Sequence, residues 1–145
     1  MKIESVATAR LLLQPLTVAD AERIVARESV TGDLWGEGYP GDGDVRSATG
    51  FLRGVAERGD PGVFRPYAIR LAESGVTVGG IGFHGPPDEI GVVTVGYGLV
   101  PVARGNGYAS EALGALRVLA RRGGAAGGSG GAGHVNTAAH RGFGG

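Results

Sequence analysis

The stretch LVPVARGNGYASEALGAL, Leu99 to Leu116, constrains the fold more than any other part of the chain. An apolar run stops at Arg104-Gly105-Asn106-Gly107. Directly afterwards Tyr108, Ala109, Ala112, Leu113, Leu116, Leu119 and Ala120 recur at helical spacing. A strand therefore feeds a helix through a turn that holds two glycines. The first amides of a helix have no acceptor within it, and the helix dipole adds positive potential at that end. Glycines let the backbone close on a phosphate without an intervening side chain. On these residues alone the junction reads either as an anion site or as a tight turn with no ligand.

Two nucleotide readings fail on spelling and context. A nucleoside-triphosphate loop ends in Gly-Lys-Ser or Gly-Lys-Thr, which the junction lacks. A dinucleotide fingerprint needs a third small residue, which Ser110 supplies, and an acid about 20 residues further on. No acid follows Arg121, and no alternation of strands and helices surrounds the motif.

Around the junction the pattern predicts α+β. Arg10 to Leu16 reads as a first strand, and Thr17 with Asp20 as the capping box of a helix with Val18, Ala21, Ile24 and Val25 on one face. A turn-rich loop carrying Trp35 and Tyr39 leads to a second helix from Asp44, stopped at Gly59-Asp60-Pro61-Gly62. Pro66 to Ala72 and the run VTVGGIGFHG read as a hairpin, and Val92 to Val100 as a further strand. Consecutive strands of this kind pair mostly antiparallel.

The 145 residues suffice for one domain, with 42% hydrophobic and 19% charged residues as in globular proteins. A formal net charge of +0 disfavours a nucleic-acid binder that relies on a basic face. The absence of cysteine excludes a disulfide scaffold and a thiolate zinc site. The start of the chain has no signal-peptide pattern, and no apolar run approaches the roughly 20 residues of a membrane helix. These features lead us to expect a soluble, cytoplasmic protein with neither membrane nor nucleic-acid partners.

The sequence RGNGYA also resembles the Arg/Gln-x-x-Gly-x-Gly/Ala signature of the GNAT superfamily of acetyl-coenzyme A-dependent N-acetyltransferases, with Arg104, Gly107 and Ala109 at the defining places. TARLLLQPLTVADAERI is similar to that family's opening strand and helix, and GGIGFHG with VGYGLVPVARGNGYASEAL to its central strands and third helix. The resemblance, nearest to the branch that acetylates ribosomal-protein N-termini, spans Thr8 to Arg122. It implies a three-layer α/β/α arrangement around a mostly antiparallel sheet, with acetyl-CoA as co-substrate and no metal. It also implies transfer to a primary amine (a protein N-terminus or a small amine) by direct attack; separately, an unpaired edge on Val92 to Val100 would admit a homodimer. Amides from Gly105 through Asn106, Gly107, Tyr108 and Ala109 to Ser110 would hold the pyrophosphate. The pantetheine arm would run along the strand near Leu99, Val100 and Val102, with an amide near Val100 polarising the thioester carbonyl.

Two departures from the family stand out. Relatives often carry a glutamate base where this chain has Thr94, and a hydroxyl cannot take a proton from an ammonium at neutral pH. Asp88, Glu89 and Glu37 read as solvated acids and His84 as a loop residue at a strand end. His134 and His140 have no partners at metal-ligand spacing. Arg117, Arg121 and Arg122 read as helix C-terminal cations. Secondly, residues 123–145 hold ten glycines and five alanines. We therefore expect an incomplete domain over 1–122. The C-terminal strand and helix should be missing or irregular, and the tail over 123–145 disordered. A non-catalytic remnant that at most binds coenzyme A is the alternative.

Overall fold

The protein was studied as a computed structural model, which describes residues 3–122 and 135–139. In chain order it comprises β1 (Val6–Ala7), β2 (Leu11–Pro15), α1 (Val18–Ala26), α2 (Asp42–Arg58), β3 (Pro66–Leu71), β4 (Thr77–Phe83), β5 (Val93–Leu99), α3 (Tyr108–Arg122) and β6 (Val135–Ala139). Short 3-10 turns cover Thr31–Asp33 and Pro101–Ala103. The expected strands and helices all form, within a few residues at their ends.

Local chemistry explains the boundaries. The Thr17 hydroxyl accepts the Asp20 N–H at 3.1 Å and the Asp20 carboxylate accepts the Thr17 N–H at 2.9 Å, which closes the capping box of α1. Helix α2 starts two residues before the sequence expectation because Gly41 takes the N-cap place. Asp44 then accepts the Gly41 N–H at 2.9 Å. Gly59, at φ 87°, stops α2 in a conformation that side chains disfavour.

The sheet has the order β1-β2-β3-β4-β5-β6, antiparallel throughout except for β5 and β6, which run parallel. Successive residues of a strand face opposite sides, so the register sorts the side chains into two faces. Gln14, Ala68, Gly80 and Gly98 form one row, and the neighbouring row on that face is Pro66, Gly82 and Gly96. Their smallness lets α2 come close: an Asp44 carboxylate oxygen lies 2.5 Å from where a Cβ on Gly80 would sit. The opposite face carries Leu11, Leu13, Ile69, Ile81, Val93 and Val95, each at most 2% exposed. Helix α3 packs on β2, β4 and β5, burying Ala112, Leu116, Leu119 and Ala120. Burying one large aliphatic side chain contributes about 1.5–3 kcal/mol, so this layer dominates the stability.

Past Arg122 the structure corrects one expectation. Val135–Ala139 forms a strand of five residues, paired with Val93–Tyr97. The strand is held by its parallel backbone pairing with β5, and composition carries no trace of such pairing. The rest of the tail, 123–134 and 140–145, lies outside the described residues, and with it His134, His140 and the expectation of disorder.

Candidate functional site

The glycine junction occupies the C-terminal end of β5. Gly105 and Gly107 stand at φ 81° and 80°, the left-handed region that favours glycine. No atom lies within 4 Å of a Cβ built on Gly105, so backbone geometry, and not crowding, requires the residue there. Asn106 pins the turn, its amide donating to Ala103 O at 3.1 Å and Arg104 O at 3.3 Å. Arg104 Nε donates to Leu99 O at 3.2 Å, which ties the turn back to the strand. The N–H of Glu111 donates to Gly107 O at 3.1 Å, so intrahelical bonding begins at Glu111. The amides of Tyr108, Ala109 and Ser110 precede it and have no acceptor in the helix.

Glu111 sits in that first turn, where an acid often folds onto the free amides. Here it turns away. Its carboxylate accepts from the Thr8 hydroxyl, from the Arg10 N–H at 2.8 Å and from Arg10 Nε at 2.7 Å. The bond from Thr8 and those from Arg10 hold its pKa below the usual glutamate value. Arg10 in turn donates to Asn106 O at 2.8 Å and places its guanidinium 4.6 Å from the Tyr108 ring centroid. Glu111 thus does not cap the first amides of its own helix, and the Arg10 cation lies beside that helix start.

Thr8, Arg10 and Glu111 are the residues that sequence reasoning missed. Only the acid in the first turn of a helix hinted at them, because Arg10 and Glu111 lie 101 residues apart.

The other named residues fall as follows. Leu99 and Val100 are buried at the end of β5, and Val102 is 79% exposed on the following turn. The Val100 N–H donates to Val78 O at 2.8 Å, so it is spent on β4 and does not face the outer edge of β5. The His84 N–H donates to Thr94 O at 2.8 Å, which fixes the same phase at the other end. In an antiparallel pair the bonding direction alternates, so the N–H of Leu99 points to the outer edge. The β6 register ends at Tyr97 opposite Ala139, two residues short of Leu99. Thr94 is half-buried on β5, and Glu37, Asp88 and Glu89 are exposed. Asp88 closes its own turn, accepting from the N–H groups of Ile90 and Val92. Arg117, Arg121 and Arg122 are exposed along α3.

The family model of the acetyltransferase (GNAT) domain matches residues 10–138. The chain belongs to the GNAT acetyltransferase family. Among curated proteins none matches the sequence. Among solved structures this GNAT chain is similar to the acetyltransferase from Agrobacterium tumefaciens, at 28% identity and a TM-score of 0.52, covering 83% of this chain and 68% of that one. It shares the fold of RimL, a ribosomal L7/L12 alpha-N-protein acetyltransferase in complex with coenzyme A, at 17% identity and a TM-score of 0.51, with 80% and 67% covered. It also shares the fold of the microcin C7 self-immunity acetyltransferase MccE, in complex with acetyl-CoA and AMP, at 12% identity and a TM-score of 0.50, with 81% and 66% covered. Among the described residues no helix is long and apolar enough to cross a membrane.

Proposed function

We propose that this GNAT domain transfers the acetyl group of acetyl-CoA to a primary amine, a protein N-terminus or a small amine, by direct attack on the thioester. The observation that carries the reading is the open helix start, where the carboxylate of Glu111 is turned onto Thr8 and Arg10. Amides from Gly105 to Ser110 would take the pyrophosphate, and Arg10 adds positive charge beside them. The pantetheine arm would follow the outer edge of β5, beyond the last β6 pair. There the Leu99 N–H would donate to the thioester carbonyl, in place of the Val100 amide that β4 consumes. The relatives solved with coenzyme A and with acetyl-CoA support the choice of ligand.

Calorimetry with acetyl-CoA, coenzyme A and ATP tests the proposal. Saturable binding of the first two, with none of ATP, is expected. Binding of ATP without coenzyme A would overturn it. Thr94, which has no titrating group for the amine proton, favours a second reading, a domain that binds coenzyme A without turnover. Acetyl transfer to a peptide amine separates the two.

A further inference from the structure

A cavity of about 680 Å³ lies between α2 and the far ends of β3 and β4. Ser47, Gly50, Phe51, Gly54 and Arg58 recur at helical spacing, so one face of α2 forms a wall of it. Phe64 and Phe83 supply apolar lining from the sheet side, their rings packed edge to face with centroids 5.1 Å apart. A volume of this size holds a small molecule. The cavity stands at the start of β5, because His84 in its lining bonds through its backbone N–H to Thr94 O. The glycine junction lies past the other end of that strand, whose seven residues span roughly 20 Å. Strand β6 is paired along β5 from Val93 to Tyr97 between the two. The cavity is therefore separate from the acetyl-transfer site.

Charge and helix chemistry together define what fits there. Arg46 and Arg58 both line the cavity, and among the described residues Arg46 has no carboxylate partner. Arg58 meets Glu57 at 3.4 Å, a long pair between side chains that are both more than half exposed, which contributes little. Asp60, an acid in the lining, is already held by Arg65 and by the Gly62 N–H. The lining thus carries excess positive charge beside aromatic walls. Gly50 and Gly54 lie in the interior of a 17-residue helix, where only proline is less favourable than glycine. No atom lies within 4 Å of a Cβ built on Gly50, so packing does not require the residue. A Cβ on Gly54 would sit 2.9 Å from an Arg58 guanidinium nitrogen, so the bare backbone lets that guanidinium fold over the helix face. Both glycines keep the cavity open, and Gly54 brings a cation onto its wall. We propose that the cavity binds an amphipathic small-molecule carboxylate. Its apolar body lies against Phe51, Phe64 and Phe83 and its carboxylate on Arg58, with Arg46 adding charge further along α2.

The probe is decanoate, added to the full chain below its micellar concentration. Decanol and decyltrimethylammonium serve as neutral and cationic forms of the same tail. Amide shifts followed by NMR should saturate with decanoate and centre on Gly50, Gly54 and Gly85. Decanol should bind about tenfold more weakly, because it forms no charge-assisted bond, and the cation should not bind. Arg58→Gln should weaken decanoate about tenfold and leave decanol unchanged, a split that lost packing would not produce. Gly50→Leu fills the cavity from a position with free space and raises helix propensity. Its thermal midpoint should equal or exceed the parent's while decanoate binding is lost. Equal affinity for decanoate and decanol would reduce the cavity to an unspecific apolar surface and overturn the inference. So would parent-like decanoate binding in either variant, shifts centred elsewhere, or no saturable binding of decanoate. None of these readouts uses acetyl-CoA, so they decide the matter independently of the proposed function.

Discussion

Arg10 and Glu111 meet at 2.7 Å, joining the start of β2 to the first turn of α3. Arg10 also holds Asn106 O, so one side chain fixes both the turn and the helix start. Arg10→Gln should weaken coenzyme A binding by about 1 kcal/mol, a roughly fivefold rise in Kd that shrinks at high salt. Calorimetry at two ionic strengths reads this out. An unchanged Kd would show that the clasp serves folding alone.

The same pair makes the domain sensitive to acid. The folded-state pKa of Glu111 is depressed, so its contribution is complete above the unfolded value of about 4.3. That contribution is lost as pH falls through the lower folded value. Glu111→Gln should therefore cost most at pH 6, and the cost should shrink as pH falls below about 4.3, as measured by urea midpoints.

Gly107→Val should abolish coenzyme A binding while leaving the far-UV circular dichroism nearly unchanged. At φ 80° a β-branched residue is strained, and its Cβ would sit 3.5 Å from an Arg10 guanidinium nitrogen on the open side of the turn. Binding at the parent's affinity would remove the pyrophosphate from this turn.

Asp44 behaves in the opposite sense to Glu111. Burial under the sheet raises its pKa from 3.8 to about 7, against the opposing Gly41 N–H bond and Arg27 charge. Its proton is held more tightly in the folded state, so stability is greatest below the unfolded value and declines as pH rises toward 7. The full span is worth about 4 kcal/mol at most. Asp44→Asn should flatten the stability profile between pH 4 and 7. A variant that keeps the parent's slope would assign that slope to another group.

Where turnover occurs, an N-terminal α-amine should react faster than a lysine amine at neutral pH. The α-amine has pKa about 7.7–8.0 against about 10.4, and Thr94 offers no base to close the gap. Faster lysine acetylation at pH 7 would contradict this.

Much of this architecture is legible in local pattern. The Thr17–Asp20 capping box, the apolar stripe of α3 and the glycines of the turn each announce themselves within a few residues. What escaped the reading depends on partners distant in the chain. Strand β1 is two residues long and exists through its register with Leu12 and Leu13. The direction of the Val100 amide follows from the hydrogen-bond phase between β4 and β5, which side-chain identities do not encode. Strand β6 depends on parallel pairing with β5, which composition does not reveal.

The Arg10 clasp also bears on when the domain becomes competent during synthesis. Its contacts bridge 96 and 101 residues, so loop closure of that span must be complete before the turn takes its final shape. A nascent chain interrupted before Glu111 has emerged holds the first strands and two helices yet lacks the clasp that fixes the Gly105–Gly107 turn. Capture on a coenzyme A resin would then separate chains that have completed the domain from those that stalled.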